Sequence, residues 1–195
     1  MFLKVIKNCL EKSFIVAFAV FVTTLILPNH ALSQTECDIE CQQNLAQVRR
    51  ATAKYHRVEE AVADGYVSTV DCVSSPDGGM GIHYIKPFLA SNLTLDVTQP
   101  ELLLYEPMKN GKLRLVGVEY FVPVIVNGVG PWFGSTAPPE GQYNQAPELY
   151  GQTFDGPMPG HNTGMPWHYD LHVWVWKHNP SGMFADFNPT VQCSQ

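Results

Sequence analysis

The chain is predicted to be α+β, an N-terminal amphipathic helix packed on a curved, mainly antiparallel β-sheet of barrel-like or cone-like shape. Three observations predict it. Residues 38–64 contain neither Pro nor Gly, which leaves room for one helix. After Gly65 come short runs rich in β-branched and aromatic residues, with turn signals between them. One helix followed by sequentially adjacent strands favours antiparallel pairing, with the helix against the sheet.

Residues 1–33 precede this fold and read as a cleaved secretory signal peptide. Lys4, Lys7 and Lys12 make a basic start, residues 14–27 are an almost unbroken apolar run, and Ala31-Leu32-Ser33 supplies small residues at a cleavage site. An uncleaved anchor is the alternative, although this run is shorter than the ~20 residues a membrane span needs. Export would make the mature protein secreted or periplasmic, without membrane contact once the signal is cut. Residues 34–195 then form a single domain, long enough for a substantial core.

Within the helix, Ala51, Tyr55, Val58 and Val62 recur at helical spacing and mark the stripe expected to face the sheet. Gly65 ends it. Residues 66–73 are rich in β-formers, and Asp77-Gly78-Gly79 turns into a short strand, residues 80–85, that carries His83. Residues 101–106 are the next candidate, and Lys109-Asn110-Gly111 makes a hairpin turn into residues 112–126, the longest strand signal. The run PWHYDLHVWVW is the last strand. Between these two lie residues 131–166, with seven Pro and six Gly, a long loop of the kind that often serves as a lid or binding loop. A surface insertion without a task is the plainer reading.

Loss of Lys4, Lys7, Lys12 and Glu11 with the signal takes the formal net charge from −6 to −8. An acidic chain without basic clusters argues against nucleic acid and anionic membranes as partners. Cys37, Cys41, Cys72 and Cys193 remain, an even number that favours two bridges in an oxidising compartment. Of three pairings the preferred one joins Cys72 to Cys193 and clips Cys37 to Cys41 across a helical turn. A cysteine metal site lacks the paired CxxC spacing.

His168, Asp170 and His172 alternate in the last strand, so two imidazoles and a carboxylate point one way, followed by Trp174 and Trp176. Glu119 lies in LVGVEYFVPV, where an unpaired buried carboxylate would cost several kcal/mol, so a partner is expected. His83, in MGIHYI, can be that partner; Arg49, Arg50, Arg57 and Arg114 are alternatives. Three imidazoles and one carboxylate suit Zn, Cu, Fe or Mn. His161, in the loop that returns to the last strand, can reach the same pocket.

Each residue alone is more simply a hydrogen-bonded core or rim group; their convergence on an apolar sheet favours a metal or proton-transfer site. Other chemistries fit less well. G-x-S-x-G and H-E-x-x-H are absent, and Gly78-Gly79-Met80-Gly81 lacks the lysine and helix of a phosphate loop. The tryptophans with Tyr84, Tyr105 and Tyr120 could line a pocket for an apolar or ring-shaped ligand, or simply fill the core.

The strings ATAKYHRVEEAVADGY, GGMGIHYI, LLLYEP, LVGVEYFVP, GQTFDGPMPGH and HYDLHVWVWKHNPSGMFADFNPTVQC resemble a functionally uncharacterised family of secreted bacterial proteins, over residues 51–193. The resemblance implies an exported single domain. Its histidine and glutamate motifs match His83, Glu119, His161, His168 and His172, and Cys72 and Cys193 belong to its pattern. It implies no reaction.

The leading expectation is an exported metal-binding protein, in its catalytic form a mononuclear metalloenzyme. A transition metal ion would be held by His83, Glu119, His168 and His172 under residues 131–166. Asp170 or His161 would support the ligands or transfer a proton. The competing class is a non-catalytic extracytoplasmic module that binds a small molecule in an aromatic pocket. A third is an envelope protein whose Pro-rich loop docks a protein partner.

Overall fold

The computed structural model describes residues 37–69 and 71–193, and the expected signal peptide lies outside the described residues. The first helix, α1 (Ile39–Thr52), starts where the Asp38 carboxylate accepts a bond from the Cys41 amide at 2.8 Å. That bond satisfies one of the donors a helix N-terminus leaves unpaired. The continuous helix expected over residues 38–64 is broken. A 3-10 turn (Ala53–His56) follows, Arg57 is extended at φ −100° and ψ 111°, and α2 (Val58–Ala63) begins a new phase. The Tyr55 carbonyl accepts the Tyr105 hydroxyl at 2.7 Å, so the sheet takes a bond the next helical turn would have used. The buried stripe is therefore Cys41, Leu45, Val48 and Thr52 on α1, with Tyr55 and Ala61 beyond it; Val62 is 54% exposed.

The strands are β1 (Val67–Ser68), β2 (Val73–Ser75), β3 (Gly78–Ile85), β4 (Leu102–Pro107), β5 (Leu113–Pro123), β6 (Ile125–Val126), β7 (Gly130–Pro131), β8 (Glu148–Leu149), β9 (Gln152–Thr153), β10 (Asp155–Met158) and β11 (His168–Val173). A short α3 (Pro87–Ala90) follows β3. The main sheet runs β1-β3-β4-β5-β11-β10, with β2 also on β3, and every pairing in it is antiparallel. Among the described residues no barrel or cone closes. At one edge β1 is two residues long; at the other β10 contains Pro157, which has no N–H to extend the ladder.

Residues 131–166 are also more ordered than a bare loop. They hold the β8–β9 hairpin and β10, which docks on the main sheet. Gly156 has φ +121°, and a Cβ there would come 2.7 Å from the His168 carbonyl oxygen, so glycine lets β10 approach β11.

Register sorts the side chains onto two faces. Val118, Tyr120 and Val122 of β5 pair with Val173, Leu171 and Tyr169 of β11, and Leu103 lies opposite Val118. These join Leu45, Val48, Tyr55 and Tyr66 in one buried cluster, so the helical segment covers this face. The other parity sets Glu119 opposite both Leu102 and His172, Phe121 opposite Asp170, and Pro123 opposite His168. His83 and Ile85 share this second face through Leu104 and Leu102. Trp174 packs there with Leu104 and Val116. Trp176 does not, because β11 ends at Val173; its indole donates to Thr52 Oγ1 at 3.1 Å on the helical side.

Both expected disulfides form, Cys37–Cys41 and Cys72–Cys193, with Cα separations of 5.2 and 5.3 Å. The second fastens the end of the chain beside β2. No helix among the described residues is long and apolar enough to cross a membrane.

Candidate metal centre

Three strands bring chemistry to one point on the second face. Glu119 is on the central β5, His172 lies directly across on β11, and His83 reaches across β4 from β3, where its register partner is Leu104. His83 Nε2 is 3.3 Å and His172 Nε2 3.8 Å from the same Glu119 oxygen, Oε2. The two imidazoles stand nearly perpendicular, 87°, with centroids 6.1 Å apart. All three residues are buried, at 8%, 3% and 2% exposure for His83, Glu119 and His172. One donor atom from each lies within 4.8 Å of the others. A tetrahedral ion with bonds of about 2.0–2.1 Å spreads its donors roughly 3.4 Å apart, the spacing found around Glu119.

Unpaired atoms lie on the same face. Buried side-chain atoms that no protein group bonds, among the described residues, are His83 Nδ1, Glu119 Oε2, His168 Nε2 and both ring nitrogens of His172. Each such atom costs about 1–3 kcal/mol if nothing satisfies it. Two of them, Glu119 Oε2 and His172 Nε2, lie 3.8 Å apart at one point of an otherwise well-bonded sheet.

Electrostatics favour uncharged imidazole. Burial first, then the neighbouring His172, lowers His83 to about 3, so it is neutral at physiological pH. Burial, with the Asp170 charge next, pushes Glu119 well above the usual carboxylate range. The 3.3 Å contact therefore joins neutral partners, and a cation would take the place of the Glu119 proton. Arg114 bonds Glu106, with Lys177 beside it, and Arg49 bonds the Val175 carbonyl, so these two arginines, which could have paired with Glu119, have other partners.

His168, expected as a fourth ligand, belongs to neither potential ligand cluster. The reason is spacing: four positions along a strand are about 13 Å, so His168 and His172 share a face but not a point. His168 Nδ1 donates to the Pro166 carbonyl at 3.1 Å, and its ring stacks on Phe121, centroids 4.8 Å apart. Its Nε2 faces Asp170 Oδ2 at 3.5 Å. Asp170 stands between the two imidazoles, with Oδ1 3.9 Å from His172 Nδ1. Burial acts to raise Asp170, but the proximity of the His168 and His172 imidazoles outweighs it, and the carboxyl lies below its ordinary range. His161 packs edge-on to His168, centroids 5.3 Å apart, and burial with His168 lowers its pKa.

A cavity of about 1000 Å³ opens over this face. His83, Glu119, Leu102 and Phe121 line it from the sheet, and Phe133 with residues 161–166 line it from the Pro/Gly-rich stretch. His172 is not part of its surface and sits behind it.

Three buried or partly buried acidic residues, two of them beside this site, are not marked by the sequence pattern. Asp186 Oδ1 is 4.0 Å from His172 Nδ1, but it lies in the irregular segment GMFADFN, where no period reveals its face. Asp155 is the register partner of Asp170 on β10; burial, then the charges of Asp186 and Asp170, raise its carboxyl. Glu101, 1% exposed, accepts from the Phe121 amide at 3.2 Å, and burial raises it to about 7. Its position beside the apolar LLLY run is the signal that could have marked it.

Comparison with known proteins gives no match: no family model, no curated protein and no solved structure corresponds to this chain.

Proposed function

We propose that this is an exported metal-binding protein whose transition metal ion, Zn, Cu, Fe or Mn, is held by His83, Glu119 and His172 behind an apolar cavity. The observation that carries this reading is the convergence of two buried imidazole nitrogens, His83 Nε2 and His172 Nε2, on the unbonded Glu119 Oε2. An ion there bonds Glu119 Oε2 and His172 Nε2, which no protein group bonds, together with His83 Nε2, and His83 is already in the neutral form that a ligand needs. Export is supported by the basic and apolar start of the chain, by the two disulfides and by the resemblance to secreted bacterial proteins.

In an enzymatic form, the bound ion would polarise a small substrate or activate water or dioxygen. The protein supplies the rest. Leu102 and Phe121 exclude water from the floor, His161 on the cavity wall holds or moves a proton, and the Asp170 carboxyl, 3.9 Å from His172 Nδ1, places charge beside that ligand. Protein purified without a histidine tag should carry stoichiometric metal by elemental analysis, and His172→Ala should lose it. Retention of metal by the His83→Ala/His172→Ala double variant would overturn the reading.

The apolar lining and volume of the cavity favour a second reading, a binding module that takes an uncharged apolar or aromatic small molecule without catalysis. That reading predicts no metal after purification, but a thermal shift on adding such a compound.

A further inference from the structure

We propose a second cation site beside the first, formed by Asp170, Asp186 and Nδ1 of His172, so that one imidazole bridges two ions. It rests on the metal reading above and adds to it a second ion and a bridging role for His172.

The two nitrogens of His172 face different acids. Nε2 looks toward Glu119 and His83, whereas Nδ1 lies 3.9 Å from Asp170 Oδ1 and 4.0 Å from Asp186 Oδ1. Ligand atoms of Asp170, His172 and Asp186 all lie within 4.8 Å of one another. Nδ1 is buried and bonded by no protein group, although two carboxylates stand before it. Hydrogen bonds of this kind need about 2.7–3.2 Å. The observed distances are too long for one and leave room for a body between the three atoms. An ion about 2.0–2.2 Å from each donor would draw these atoms about half an ångström closer together.

Charge points the same way. Asp155 faces Asp170 across the β10–β11 pair, so three carboxylates gather at this edge, and no lysine or arginine pairs with Asp170 or Asp186 among the described residues. Like-charged acids held together in a partly buried place are relieved by a proton on one of them, the direction in which Asp155 is shifted, or by a counter-cation. With two divalent ions bound, Glu119 and the His172 ring each release a proton to solvent, and Glu119, Asp170, Asp186 and the resulting imidazolate balance the added charge. The first site is richer in nitrogen and the second in oxygen, so a softer ion prefers the first and a harder one, such as manganese, the second.

Elemental analysis tests this on the tag-free mature protein, stripped with chelator, reloaded with zinc and desalted. We expect two equivalents in the wild type, and one each in Asp186→Asn and His83→Ala. Asp186 is 46% exposed at its side chain, so its variant should fold; a thermal unfolding curve checks this. In copper-loaded protein, coupling through the imidazolate should hold the integrated paramagnetic signal below the copper content. Asp186→Asn should restore one full copper signal. One equivalent in the wild type, kept by Asp186→Asn and lost by His83→Ala, overturns the second site and leaves the first standing. Two equivalents retained by Asp186→Asn overturn it as well. No metal in the wild type overturns both sites.

Discussion

On the helix-covered face of the sheet, polar atoms have found their partners. The hydroxyls of Tyr105, Tyr120 and Tyr169 each donate at 2.7 Å to a backbone carbonyl, of Tyr55, Val97 and Asn144. On the opposite face the same strands carry Glu119, His168 and His172, and there the unbonded polar atoms collect. A single step along β5, from Val118 to Glu119, crosses from one regime to the other. The contrast shows how alternation lets one set of strands divide its work. The covered face supplies the hydrophobic stabilisation, so the other can keep polar groups that ordinary packing would reject.

If this division holds, the two faces should respond to mutation independently. The largest expected effect is on the covered face. Leu171→Ala should destabilise the protein by about 2–5 kcal/mol in urea unfolding, with metal content unchanged. Loss of metal from a variant that is still folded would show that the faces are coupled.

The next effect concerns a buried acid at the start of β4, in metal-free protein. Glu101 has its pKa raised by burial to about 7. A raised acid contributes its stability fully below its unfolded value near 4.5 and loses it as pH rises through about 7. The loss is of the order of 3 kcal/mol, at about 1.4 kcal/mol per pH unit. Glu101→Gln should flatten this decline. His83 has the opposite sign: lowered to about 3, its contribution is complete above the ordinary imidazole value of 6.5 and fades as pH falls. Urea unfolding from pH 4 to 8 reads both slopes.

A smaller change in stability is expected from Glu119→Gln, because it removes an unpaired buried carboxyl rather than a satisfied one. Metal-free protein should shift by less than about 1 kcal/mol, while zinc affinity measured by calorimetry should collapse. The smallest effect is expected at the cavity rim. Phe133 is 62% exposed, so Phe133→Ala should leave stability within about 0.5 kcal/mol and change only the binding of an apolar dye to the cavity.

Much of this division is legible in the sequence. The period of two in a strand predicts that His168, Asp170 and His172 share a face, and the apolar setting of Glu119 predicts its burial and its need for a partner. What stays hidden depends on distant contacts. The phase of the helical stripe changes because Tyr105 draws on the Tyr55 carbonyl, a contact between residues 50 positions apart. β10 is concealed by Pro157 and Gly156 in a stretch whose composition reads as loop. His168 reads as a ligand because a shared face is easily mistaken for a shared point. Asp186 has no periodic context at all, and only the folding of residues 182–188 onto β11 brings it to His172.

The most direct test of the central claim is anomalous scattering from crystals of zinc-loaded protein, recorded on both sides of the zinc edge. The account predicts a peak about 2.0–2.2 Å from His83 Nε2, Glu119 Oε2 and His172 Nε2. Density for hydrogen-bonded water joining these three atoms, with no anomalous peak there, would contradict it.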